Sequence, residues 1–254
     1  MLIILSPAKT MDSLKSAVGF ETTLPEYLKF AEQLAAILKM KSPGELSNLM
    51  KINPEIAQLT FERFQQWGTV NNKENAIPAI FSYIGEAFRG LDAESFSEKD
   101  LFFAQTHLRI LSGLYGILRP LDLIQPYRLE MALKISTGSA KNLYDFWKKL
   151  ITKSLKKSMD VQHDNVLINL ASQEYFKSIN IKELRARIIT PVFKEYKNGE
   201  PVIVTVYAKK ARGLMARFII QNQLTNPEDL KLFDYEGYYF TPSLSTETEF
   251  TFTR

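Results

Sequence analysis

Leu2-Ile-Ile-Leu-Ser-Pro-Ala-Lys-Thr-Met-Asp12 opens the chain and decides how the rest of it is read. A short, unbroken apolar run closed by Ser6-Pro7 has the composition of a buried strand. The polar residues after it then form a loop at that strand's carboxyl end, where α/β folds place their ligands. Lys9 and Thr10 can hold an anion there, and Asp12 can pair with Lys9. The loop lacks the glycine spacing and Gly-Lys-Ser/Thr ending of a P-loop. Val166-Leu-Ile-Asn-Leu-Ala171 repeats the arrangement, with Ser172 placed to cap a helix starting at Gln173. Val202-Ile-Val-Thr-Val-Tyr207 reads as a third strand, leading into Lys209-Lys-Ala-Arg-Gly-Leu-Met-Ala-Arg217. Three strand ends carrying polar or basic residues are expected to converge on one cleft. Ile188 to Phe193 is a weaker strand, turned back at Asn198-Gly199 in a hairpin.

Helices fill the intervals. Leu28, Ala31, Leu34, Ala35 and Leu38 recur at helical spacing between Pro25 and Met40. Ser42-Pro43 and Asn53-Pro54 each join a cap residue to a proline in the first turn. Leu143 to Met159 and Lys210 to Leu224 are amphipathic. Tyr238 to Phe240 and Glu249 to Thr253 alternate like half-buried strands. With no repeat or linker, the expectation is one mixed α/β (α+β) domain over residues 1–254, a largely β-branched central sheet flanked by helices.

Composition narrows the function. Hydrophobic residues at 45% and charged residues at 24% are those of an ordinary globular protein. No apolar run approaches the roughly 18–20 residues that span a bilayer, and no basic region precedes the first apolar run. Cysteine is absent, which removes disulfides and thiolate chemistry and points to the cytoplasm. Only His107 and His163 are present, so neither a histidine-rich metal site nor any cofactor is expected. The net charge of +4 is unevenly distributed. Lys182 to Arg217 holds nine basic residues against three acidic ones, and the rest of the chain is net negative. A basic window of this kind points to an anionic partner.

Leu111-Ser-Gly-Leu-Tyr-Gly-Ile-Leu-Arg-Pro-Leu-Asp122, continuing into Pro126-Tyr-Arg-Leu-Glu-Met131, carries the densest signal. Leu108, Ile110, Leu111 and Leu114 read as a helical stripe ending at the Gly113–Gly116 turn, with Ser97 and Asp100 capping that helix. Arg109, Arg119 and Arg128 lie close by. Backbone N–H groups freed by glycine, with arginines near them, suit an anion. Asp122 and Glu130 are candidate acid/base groups, or partners of Arg119 and Arg128 in internal ion pairs.

These motifs, with Asn142-Leu-Tyr-Asp-Phe-Trp147, Asn169-Leu-Ala-Ser172 and Lys210-Ala-Arg-Gly-Leu-Met-Ala-Arg217, resemble the YaaA family in order and over nearly the full length. The resemblance implies a cytoplasmic bacterial protein that limits oxidative damage under hydrogen peroxide, a role linked to free intracellular iron. It also implies binding of double-stranded DNA through a basic cleft, on an α/β fold with a helix-hairpin-helix-like element. Leu108, Leu111, Gly113 and Gly116 approximate such a hairpin, although the glycines are one residue too far apart and Pro120 obstructs a second helix. Ile80 to Leu91, with Gly85 at its turn, is the other candidate.

Two readings follow. In the first, Lys9, Arg109, Gly113, Gly116, Arg119, Arg128, Lys209, Lys210, Arg212 and Arg217 line a cleft for duplex DNA without sequence preference. In the second, the strand-end loops enclose a pocket in which an enzyme acts on a nucleotide, nucleoside or nucleobase. A groove of duplex width favours the first; a deep, narrow pocket favours the second.

Overall fold

The computed structural model describes residues 1–11, 21–72, 74–138 and 140–254. The anticipated pairing of Asp12 with Lys9 lies outside them. β1 (Leu2–Leu5) is buried along its whole length, and β2 (Thr10–Met11) follows its loop. α1 (Leu28–Lys39) turns Ala31, Leu34, Ala35 and Leu38 inward. α2 (Pro43–Met50) begins on a capping box in which the Ser42 N–H donates to the Glu45 carboxylate at 2.8 Å. α3 (Pro54–Gln66) begins on Asn53, whose side chain accepts from the Ile56 N–H at 2.8 Å. Then come β3 (Ile77–Pro78), α4 (Ala79–Ser82), β4 (Tyr83–Ile84) and α5 (Glu86–Leu91). α6 (Glu98–His107) starts on the Ser97–Asp100 capping box. It leads into β5 (Leu108–Ser112), β6 (Gly116–Leu118) and β7 (Leu123–Ile124). The second half adds α7 (Leu143–Gln162), β8 (Val166–Leu170), α8 (Gln173–Phe176), α9 (Ile181–Leu184) and β9 (Arg187–Lys197). It closes with β10 (Glu200–Val202), α10 (Thr205–Gln221), β11 (Tyr239–Phe240) and β12 (Glu249–Thr253).

The main sheet has eight strands in the order β11-β12-β9-β8-β1-β5-β6, with β10 added to β9. β12, β9, β8, β1 and β5 run parallel, and β11, β10 and β6 are antiparallel additions. This is a mixed α/β fold with a central, mostly parallel sheet flanked by helices. The chain leaves β1 toward β5 and leaves β8 toward β9, so the connections diverge between two neighbouring strands. Such a switch point opens a crevice beyond the carboxyl ends of β1 and β8.

Two expectations are corrected. Leu108 to Leu111 is not helical: α6 ends at His107, and β5 pairs with β1 in parallel and with β6 in an antiparallel hairpin. All five residues of β5 are buried, so the segment lacks the alternation that separates strand from helix in sequence. The helix-hairpin-helix candidate at Leu108–Gly116 is accordingly a β-hairpin. The segment over Ile80 to Leu91 holds two short helices, α4 and α5, with β4 and Gly85 between them.

Val202 to Tyr207 is the second correction. Pairing with β9 stops at Val202 and α10 starts at Thr205. Val202, Ile203, Val206 and Tyr207 are exposed, whereas Ala208, Ala211, Met215, Phe218 and Ile219 pack inward at helical spacing. Burial of that face overrides the β-branched composition. The Asn198-Gly199 hairpin is as expected, with φ of 54° and 83°, the paired positive values of a type I′ turn.

Glycines set two close approaches. α5 and α10 cross where Gly90 faces the Lys210 carbonyl and Gly213 faces the Ala87 carbonyl. A Cβ would come within 2.2 Å and 1.8 Å of those oxygens. Gly116, at φ +73°, lies under the Trp147 ring, whose Nε1 donates to the Gly113 carbonyl at 2.8 Å.

Candidate functional site

The crevice beyond β1 and β8 is a cavity of about 320 Å³. Ser6 and Ser172 tie the two strand ends together beside it. The Ser172 N–H donates to Ser6 Oγ at 2.8 Å, and the two hydroxyls lie 3.2 Å apart. Ser172 is the N-cap residue of α8, but its hydroxyl makes no cap bond. One wall comes from Gly85 to Phe88 at the start of α5, joined by Lys209 and Arg212 of α10.

Tyr127 to Glu130 line the cavity from a segment without regular structure. Gly113 lets that segment lie against the β5–β6 hairpin: a Cβ there would be 2.1 Å from the Leu129 carbonyl oxygen. Tyr127 is anchored by its hydroxyl, 2.6 Å from Ser112 Oγ and 2.8 Å from the Tyr83 hydroxyl. Burial pushes the Tyr127 hydroxyl up to about 12 and the Tyr83 hydroxyl well above the ordinary phenol value. Both stay protonated near neutrality and act as rigid neutral posts.

The charged groups of the lining differ in exposure. The Lys9 side chain is 66% exposed, Lys209 is exposed and Arg212 is half-buried. The Glu130 side chain is only 11% exposed. Its Oε1 takes Arg128 Nη2 at 3.0 Å and Lys9 Nζ at 3.4 Å. Its Oε2 and Arg128 Nε are both buried and have no hydrogen-bond partner among the described residues. A buried donor or acceptor left unmade costs about 1–3 kcal/mol, so such atoms in a cavity wall call for an explanation.

The other expected site residues lie elsewhere. Arg109, Arg119 and Asp122 line a separate cavity of about 770 Å³ that shares no residue with the first. Arg109 donates to the Gln105 and Leu108 carbonyls at 3.1 and 2.8 Å and to Ser158 Oγ at 3.1 Å. It thereby serves the carboxyl end of α6, where a cation is favoured. Burial lowers it to about 10. Asp122 is fully engaged: Thr23 Oγ1 at 2.6 Å, and Arg119 through its backbone N at 2.8 Å, Nε at 3.1 Å and Nη2 at 3.0 Å. Burial raises the Asp122 pKa against the opposing pull of Arg119. Lys210 pairs with Glu236, and Arg217 with Asp92. Gly113 and Gly116 give their space to Leu129 and Trp147. Among the described residues no three His, Asp or Glu side chains gather as a metal site would need. Ser6, Glu174 and Tyr175 join the lining although no charge pattern singled them out; their place beside strand ends was the available signal.

Fold and site together define a class: an α/β protein with a mixed-charge pocket at the switch point of a parallel sheet. The family model for peroxide stress protein YaaA matches residues 1–244. Two UPF0246 proteins of Aliivibrio fischeri, strains ATCC 700601 / ES114 and MJ11, are each 50% identical over 254 residues, covering 100% of this chain and 98% of theirs. The chain belongs to the peroxide stress protein YaaA family, which supports a role in peroxide stress. No described helix is long and apolar enough to cross a membrane.

Proposed function

We propose that this peroxide-stress protein holds a nucleotide unit in the strand-end pocket, the phosphate toward Lys9, Lys209 and Arg212 and the base toward Glu130. The observation that carries the reading is the cavity at the β1–β8 switch point. It is about 320 Å³, the lower end of the size range of small-molecule sites. Cations at its mouth suit a phosphate. The carboxylate at its floor would repel one, but it suits the N–H groups of a base. If the pocket is catalytic, Glu130 is its acid/base group, because Asp122 already spends its acceptors on Arg119 and Thr23. An effect on free iron is then indirect, exerted through nucleotides or DNA.

Isothermal titration with nucleoside monophosphates tests the assignment. Binding should weaken at least tenfold in Lys209→Glu and Arg212→Glu; nucleotide affinity unchanged by both substitutions would overturn it.

Binding of duplex DNA without sequence preference is the second reading, favoured by the outward exposure of Lys9 and Lys209 at the pocket mouth. The logarithm of its affinity should fall with log salt at a slope of about −0.9 per phosphate neutralised. The ion pairs of Lys210 and Arg217 leave fewer free cations than the basic window suggests, and Lys9 is itself paired with Glu130. A flat salt response would remove this reading.

A further inference from the structure

The two unpartnered atoms at the pocket floor are of opposite kind. Glu130 Oε2 is an acceptor and Arg128 Nε–H is a donor, and both belong to side chains lining the cavity. Glu130 as a whole is 9% exposed. The Nη2–Oε1 bond of 3.0 Å holds the two side chains together as one planar-ended unit. Among the buried atoms of that unit it leaves Nε–H and Oε2 without a partner. Both atoms are closed off from the cavity as the side chains stand; the terminal torsion of a glutamate is broad and nearly two-fold, and a turn of the carboxylate is the movement that would present a free oxygen to a ligand.

We propose that Arg128 and Glu130 together read one edge of a planar heterocyclic base. The Glu130 carboxylate accepts from a ring or exocyclic N–H, and Arg128 Nε–H donates to the carbonyl or ring nitrogen beside it. The inference rests on the nucleotide reading of the pocket and adds to it the group that is recognised. The ligand class is a ring carrying an N–H next to a lone-pair acceptor, the pattern shared by the pairing edges of the nucleobases. A phosphate alone, or a sugar phosphate, satisfies neither atom.

The experiment uses the whole protein and matched ligand pairs: thymidine and 3-N-methylthymidine monophosphates, guanosine and 1-N-methylguanosine monophosphates, and ribose 5-phosphate as the base-free probe. At least one unmethylated nucleotide should bind more than tenfold more tightly than ribose 5-phosphate and lose about tenfold or more on methylation. Arg128→Lys, which keeps the charge but loses the guanidinium edge, should erase most of the preference for each unmethylated nucleotide over its methylated partner. Circular dichroism of that variant separates loss of recognition from loss of fold, and Glu130→Gln gives an independent readout on the partner residue. Nucleotides that bind but tolerate methylation, or bind no better than ribose 5-phosphate, overturn edge recognition while leaving the nucleotide reading intact. No binding by any nucleotide overturns both.

Discussion

Gly113→Ala tests the packing that shapes the pocket. The new Cβ would sit 2.1 Å from the Leu129 carbonyl oxygen and 2.9 Å from its carbon, whereas ordinary contact begins at 3.4 Å. The oxygen must therefore retreat by 3.4 − 2.1, about 1.3 Å. The obstacle is backbone, not a flexible side-chain tip, so no rotamer change relieves it. Overpacking of this kind costs about 1–3 kcal/mol. At about 2–4 °C per kcal/mol for a chain of this size, the melting temperature should fall by about 2–12 °C. The retreating segment carries Arg128 and Glu130. Misplacing a functional group by about 1 Å can cost about 10²-fold. Pocket-ligand affinity should accordingly drop ten- to a hundredfold even in samples that remain folded. Calorimetric melting and ligand titration on the same preparation make the measurement. Gly44→Ala is the control, since nothing lies within 4 Å of its Cβ and alanine favours the helix. A Gly113→Ala protein that melts within 1 °C or so of its parent and binds ligand normally would refute the packing argument.

Asp122→Ala removes a buried acceptor from Thr23 and Arg119. With Arg119 partly exposed, the discounted loss is about 2–3 kcal/mol in denaturant melts, with pocket-ligand affinity unchanged; a ligand-binding defect without destabilisation would contradict the separation of the two cavities. His107, stacked on Phe103 at 3.9 Å, has its pKa lowered chiefly by burial. A base depressed in the folded state contributes stability that is present above its unfolded pKa of about 6.5 and lost as pH falls toward the folded value. His107→Gln should flatten that part of the stability–pH curve between pH 7 and 5, and a curve parallel to wild type would count against it. Gly213→Ala should destabilise by about 2 kcal/mol or more, because its Cβ meets the Ala87 carbonyl oxygen at 1.8 Å and must separate α5 from α10; an unchanged urea midpoint would show the crossing to be looser.

The parts of the fold legible in the sequence were those with one unambiguous burial pattern. Leu2–Leu5 is apolar on both faces, Val166–Leu170 is so apart from the buried Asn169, both are bounded by polar loops, and α1 and α7 carry clear stripes. Leu108–Ser112 was not legible, because a strand buried on both faces and fused to a helix end shows no period of two. Val202–Tyr207 misled for the opposite reason: its β-branched residues face solvent in the connection to α10 and its first turn. In the site, Lys9 and Ser172 could be anticipated to approach one another because the ends of β1 and β8 converge, whereas Arg212, expected after a strand at Val202–Tyr207, reaches the pocket from within α10. Arg109 and Arg128 are nineteen positions apart, yet the β5–β6 hairpin sends them to different cavities. Whether a cation is free or spent depends on pairs such as Lys210–Glu236 and Arg217–Asp92, 26 and 125 positions apart, which no local pattern reports.

The glycine crossing of α5 and α10 bears on how this pocket can diversify. Gly85 to Phe88 and Lys209 and Arg212 all line the pocket, and the helices that carry them touch main chain to main chain at Gly90 and Gly213 with no side chain interposed. The placement of these two groups of lining residues relative to each other is thus set by backbone against backbone. Lining side chains can be exchanged to alter what is admitted while the two helices keep their spacing, whereas a single added methyl at either glycine would shift one group of lining residues against the other for every ligand at once.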